Sequence, residues 1–275
     1  MTRAVTPAAR WAAGALLFFV LATANSGGDR YGASDQAFYI PAVRKAMDAS
    51  LFPRDSSMLA AQGGFILWDG IVAGITAATN LPLPWVFFAL YTTGVIALYA
   101  GGALAARAAG AGAWGTVAFL AMLTLRHRIA KTGVNTLEGY LHPRMIAFAL
   151  GMLATGAFLK KRPAWAGAAL AAAAVVHPTT AVWFGVLLGA AAFAAWPRWR
   201  APLGVAAVAG AVFSIWAIAA GPLAPRAVAM DAAWLSAIAE KDYLFPHEWP
   251  VYAWILNLLP AAIGAAVLWR ARDLK

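Results

Sequence analysis

The chain is 275 residues long, 63% hydrophobic and only 12% charged, with a mean hydropathy of +0.70. A soluble domain of this length cannot hide so much apolar surface, so these numbers exclude an ordinary globular enzyme and predict an all-α, polytopic transmembrane helical bundle. The net charge of +10 excludes little by itself, but the bases are spread one to three per turn with no basic-aromatic patch, which argues against nucleic acid, and the lack of cysteine removes disulfides and thiolate chemistry.

In chain order, Arg3 and Arg10 precede an apolar run from Trp11 that ends Ala22-Thr23-Ala24. This has the form of a signal peptide, but before so many later apolar stretches it reads as an uncleaved first helix. Eight stretches predict spans, at about 8–24, 84–106, 112–125, 145–159, 163–177, 179–196, 202–220 and 251–269. Several fall short of the ~20 residues a bilayer requires, so their ends must borrow polar neighbours. Pro143, Pro163, Pro178 and Pro202 stand at helix starts, where a missing N–H costs least. The whole chain, 1–275, reads as a single integral membrane domain of about eight to nine spans.

Residues 25–64 read as an external amphipathic loop. Ser34 is placed to N-cap a helix beginning near Asp35, and Phe38, Ile40, Val43 and Met47 recur at helical spacing, as in a helix lying along the membrane surface. Residues 57–79 disturb the count of spans. Phe65–Thr79 is apolar but holds Asp69 at its middle, and the polar intervals on either side fall on one side of the membrane. The segment therefore reads as re-entrant or half-buried, with a ninth span as the alternative. A carboxylate at membrane depth calls for a cavity or a partner.

Charge divides the two sides. Arg3 and Arg10, Arg107, Lys160-Lys161-Arg162, Arg198 and Arg200, and Arg270, Arg272 and Lys275 form turns with almost no acid, which marks them, and both termini, as cytoplasmic. Nine of the eleven acids fall in 25–64, 126–144 and 221–250, on the other side, and the four histidines lie in or at the edge of that same face.

Four segments there carry candidate chemistry. Asp29 and Asp35 follow the first span, where a carboxylate can act as a general base on a hydroxyl or simply favour a helix start. Arg126, His127, Arg128, Lys131 and Arg144 are bases on the side that should lack them; a bound phosphate explains them, and so does pairing with Glu138. His142-Pro143 and His177-Pro178 flank a helical hairpin and should emerge together, either as a shared site or as two helix caps. Residues 242–250 alternate aromatics with polar groups, as in sugar stacking or an interfacial belt. No metal ligands stand at close spacing, so no cofactor is called for, with a divalent metal left open.

A first span, then Ser34-Asp35-Gln36-Ala37-Phe38-Tyr39 in an outside loop, then many short helices, resembles the GT-C glycosyltransferase architecture. Glu138, Tyr140, His142-Pro143-Arg144 and His177-Pro178 are similar to segments of bacterial membrane proteins of that group. The resemblance covers about 25–250. It implies a multi-pass protein of the bacterial inner (plasma) membrane that inverts a sugar taken from a polyprenyl-phosphate carrier. It places Asp35 as catalytic base with Asp29 as its substitute, and gives the lipid phosphate to Arg126, Arg128, His142, Arg144 and His177. Asp55, Glu138 and Tyr140 would orient the acceptor. The implied partners are a lipid-linked sugar and membrane lipid. The sequence departs from the family where Gln36, rather than a second acid, follows Asp35. The competing reading is a small transporter, or a non-catalytic membrane subunit binding an anionic lipid, in which Asp69 carries the function.

Overall fold

The computed structural model describes residues 6–63, 67–127, 130–131 and 135–272, which form twelve α-helices and no strand. The eight apolar stretches are all helical: α1 (Pro7–Asn25), α5 (Leu83–Ala108), α6 (Ala113–Leu123), α7 (Pro143–Leu159), α8 (Pro163–Val176), α9 (Pro178–Ala195), α10 (Pro197–Ala219) and α12 (Val251–Arg272). Proline in the first turn starts α1, α5, α7, α8 and α10, and the Thr6 hydroxyl caps α1 by accepting the Ala9 N–H at 3.2 Å. Between the long helices lie α2 (Gln36–Met47), α3 (Ser56–Gly63), α4 (Trp68–Thr79) and α11 (Ala232–Ile238).

Among the described residues four helices, α1, α5, α9 and α10, are long and apolar enough to cross a membrane. On α10 the exposed residues Val205, Val208, Val212, Phe213, Ile215 and Trp216 leave no polar face. Such a surface needs an apolar solvent, as in a membrane protein. Helices α6, α7, α8 and α12 are apolar but offer shorter windows.

Two local expectations are corrected. Pro202 does not start a helix but lies inside α10, which begins at Pro197. Ser34 does not cap α2: its backbone is left-handed, with φ 51°, and Asp35 occupies the N-cap position without a side-chain hydrogen bond to the helix. Pro41 lies inside α2 and does not break it. The buried face of α2 is Gln36, Tyr39, Ala42 and Val43, which packs on α4, while Met47 is exposed. The described residues of 57–79 belong to α3 and α4, of 8 and 12 residues, and neither has the ~20 residues that span a bilayer.

Contacts divide the chain into two compact units, residues 1–127 with 136–191, and residues 128–135 with 192–275. In the first, α1 and α5 run antiparallel. Trp11 lies edge-on to Tyr99 at 5.4 Å beneath the Arg107 guanidinium, and Tyr91, earlier in α5, donates its hydroxyl to Thr23 at 3.2 Å. Helices α5 and α7 run parallel, since Gly94 meets Ile146, Gly101 meets Ala149 and Leu153, and Gly156 meets Leu104 and Ala105. A Cβ on Gly101 would come within 2.9 Å of the Leu153 backbone nitrogen, so this seam depends on small residues, as expected where lipid supplies no hydrophobic drive for helix association. These directions put Arg107 and Lys160-Lys161-Arg162 at one end of the unit. The end of α1, the start of α7 and the α8–α9 turn lie at the other.

The second unit contains α10, α11 and α12. Asp231 caps α11 through the Trp234 N–H at 2.8 Å, and Asn257 of α12 donates to the Ala130 carbonyl at 3.1 Å. The aromatics of 242–250 pair locally, Trp249 with Trp254 at 5.5 Å and Phe245 with His247 at 6.1 Å.

Candidate active site

The site is assembled where the loop after α1 meets the segment that leads into α7. The Arg30 N–H donates to the Gly139 carbonyl at 2.9 Å, and a Cβ on Gly139 would stand 2.6 Å from the Ser26 carbonyl oxygen. Only glycine permits that approach. Gln36, fully buried, completes the join: its Oε1 accepts the Gly32 N–H at 2.7 Å and its Nε2 donates to the Leu141 carbonyl at 3.0 Å. A carboxylate could not make the second bond. Gln36 therefore clamps together the two segments that carry the site.

His142 is the N-cap of α7, and its Nδ1 accepts the Arg144 backbone N–H at 3.0 Å. Because a backbone N–H can only donate, Nδ1 keeps its lone pair and the ring proton sits on Nε2. Nε2 lies 3.2 Å from Asp35 Oδ2 and donates to it. The Tyr140 hydroxyl donates to the same oxygen at 3.4 Å. The Asp35 carboxylate has thus left its helix cap for a histidine and a tyrosine, and its side chain is 53% exposed. The His142 hydrogen bond, outweighing burial, holds Asp35 below the ordinary carboxylate range, so it is ionised at neutral pH. Burial lowers His142 below 6.5 despite the neighbouring Asp35.

His177 repeats the device. Its Nδ1 accepts the Thr180 backbone N–H at 3.3 Å and contacts the Thr180 hydroxyl at 2.9 Å, leaving Nε2 as the donor. The two imidazoles meet edge to face, centroids 5.9 Å apart. Each ring therefore caps a helix through Nδ1, and the two rings meet, as expected of a pair that emerges together. Burial, then the adjacent His142 and Arg144, push His177 down to about 4. Tyr39 packs edge-on against His142 at 5.3 Å, and burial, with Asp35 next, pushes its hydroxyl up to about 12.

Glu138, 2% exposed, anchors the basic side of the site. It accepts from Arg144 Nη2 at 2.9 Å and lies 3.7 Å from Arg126 Nη2. Two guanidinium groups on one carboxylate leave a net positive charge, and Arg144 Nε is buried without a hydrogen-bond partner. Glu138 thus pairs with Arg126 and Arg144, as one of the two explanations for these outer-face bases expected.

Asp29, half-buried in the loop after α1, and Asp55, exposed at the start of α3, take no part in these bonds. Burial raises the Asp29 carboxyl. Arg128 lies outside the described residues. Asp69 is 8% exposed and lines a cavity of about 250 Å3 with Lys45, between α2, α3 and α4; its Oδ1 has no hydrogen-bond partner. Among the described residues no three His, Asp or Glu side chains gather as a metal cage. Sequence reading missed Tyr39 and the clamp role of Gln36. It could have found Thr180 from the His-Pro-x-Thr spacing of a capped helix start.

The histidines make stability pH-dependent. Between about 4 and 6.5 an unfolded His177 binds a proton that the folded one refuses, so acidification through this window favours unfolding. His142 and Asp35, both depressed, act in the same direction. The detergent-solubilised protein should lose thermal stability as pH falls from 6.5 toward 4, and His177→Gln should flatten that slope. Equal slopes for the two proteins would refute the assignment.

Comparison with family models, with curated proteins and with solved structures finds no match for this chain.

Proposed function

We propose that the chain is a GT-C-like membrane glycosyltransferase that moves a sugar from a polyprenyl-phosphate donor to a hydroxyl acceptor at the outer face of a bacterial inner membrane. In this reading the eight apolar helices all cross, several with local thinning of the bilayer, α3 and α4 are re-entrant, and both termini are cytoplasmic. The observation that carries the proposal is the ionised, half-exposed Asp35 carboxylate, held on one oxygen by His142 and Tyr140, with the other oxygen left for a ligand.

Asp35 Oδ1 takes the acceptor's hydroxyl proton as the acceptor oxygen bonds to the anomeric carbon. The bond from that carbon to the phosphate oxygen breaks, and its electron pair leaves with the polyprenyl phosphate. Attack from the face opposite the leaving group inverts the centre. Arg144 and Arg126, with Glu138 fixing their planes, and the Nε2–H of His177 supply donors to the charge that grows on the phosphate.

Binding of a polyprenyl-phosphate sugar to the purified protein tests this. Wild type should bind, Arg144→Ala should weaken binding by about tenfold or more, as loss of a charge-assisted hydrogen bond implies, and Asp35→Asn should bind as wild type. Absence of binding by wild type would sink the reading. A transporter is the second reading, favoured by the unpartnered Asp69 in its cavity. It requires Asp69→Asn to block substrate movement and Asp35→Asn to leave it intact.

A further inference from the structure

At the end of the first unit remote from Asp35, a cavity of about 480 Å3 opens between α5, α7 and α8. Its walls are apolar, formed by Leu104, Leu153, Ala157 and Trp165, and its rim carries Lys160 and Arg162. Trp165 is 68% exposed on the third residue of α8, the position of an interfacial anchor.

We propose that this groove is a binding site for an anionic phospholipid, with its phosphate on Lys160 and Arg162 and the upper part of an acyl chain along the apolar walls. Charge complementarity selects this occupant. The turn 160–162 holds three consecutive bases and no acid, and both rim side chains are exposed. Lys160 sits at the C-cap of α7, where the helix dipole favours a cation, but Arg162 sits at the N-cap of α8, where the dipole opposes one. Arg162 also gives α8 no side-chain cap, so the first amides of that helix are left to another acceptor. A phosphate between Lys160 and Arg162 answers both the misplaced charge and the uncapped amides. A zwitterionic headgroup brings its own cation to the same crowded positive rim, which sets the preference between lipid classes. The site is independent of the chemistry at Asp35 and lies at the opposite end of the same helices.

The test uses the full chain in nanodiscs of equal phosphatidylglycerol and phosphatidylcholine, followed by native mass spectrometry of the lipids retained. Wild type should retain phosphatidylglycerol over phosphatidylcholine. The exposed pair of substitutions Lys160→Gln and Arg162→Gln should lower that preference by about thirtyfold, from about 1 kcal/mol per basic side chain at an anionic headgroup. Ala157→Phe, which fills the groove, should release the retained lipid whatever its headgroup. Equal retention of the two lipids by wild type, or an unchanged preference after both bases are removed, would overturn the proposal. So would displacement of the lipid by millimolar inorganic phosphate, which would make the rim a free-phosphate site.

Discussion

Asp35→Asn is expected to cut turnover of a lipid-linked sugar by about 10²–10⁴-fold, the usual worth of a positioned general base. The substitution is informative because it is nearly silent structurally. An amide oxygen at position 35 still accepts the Nε2–H of His142 and the hydroxyl of Tyr140, which lie 3.2 and 3.4 Å from Oδ2. The Asp35 side chain makes no capping hydrogen bond to α2, so the helix start loses only the small interaction of a charge with its dipole. What disappears is the charge and the basic lone pair on the other oxygen. Single-turnover release of polyprenyl phosphate, measured beside donor binding, separates the two effects. Loss of turnover at unchanged affinity is the expected result. Turnover within a few-fold of wild type would mean that the carboxylate pairs with His142 for structural reasons alone. Asp69→Asn is the control, since Asp69 faces a different cavity and should leave transfer intact.

Glu138→Ala should destabilise the fold by about 3 kcal/mol, the lower end of what is lost when one partner of a buried ion pair is removed. Glu138 is 2% exposed and Arg144 18%, so deleting the carboxylate strands a guanidinium whose Nε already has no partner. Arg126, 49% exposed, can turn to water, which sets the value at the low end. Glu138→Gln should recover part of the loss, because its carbonyl oxygen still accepts from Arg144 Nη2. Denaturant titration in mixed micelles reads both variants. If Glu138→Ala unfolds at the wild-type midpoint, the carboxylate does not hold the arginines in place.

The all-helical class and the positions of the eight apolar helices were legible from hydropathy, and the prolines located several helix starts to within a residue or two. The separation of the bases Arg107 and Lys160–Arg162 from the acids and histidines was legible too, and the antiparallel α1–α5 and parallel α5–α7 seams give it a spatial form in the first unit. The meeting of His142 with His177 followed from one helical hairpin between them, a relation short enough to count along the chain. The start of α2 near Asp35 was legible, but its cap was not: a left-handed backbone at Ser34, a non-glycine residue, leaves no mark in composition.

The pairing of Asp35 with His142, 107 positions later, was not legible, whereas pairing of Arg126 and Arg144 with Glu138 was one of the two explanations the sequence offered. Hydropathy and charge report the solvent each segment must occupy, bilayer or water, and this is a property of the segment itself. They therefore determined the helices, the polar intervals and, in the first unit, the ends at which the basic turns and the acids and histidines fall. Which side chains touch depends on how closely two backbones approach, and here that is decided by Gly139 against the Ser26 carbonyl, by Gln36 bridging Gly32 and Leu141, and by Gly101 and Gly156 letting α5 and α7 meet. Those contacts join residues far apart in the chain. Only the tertiary structure could select them, because each is favourable only once the others have brought the segments together.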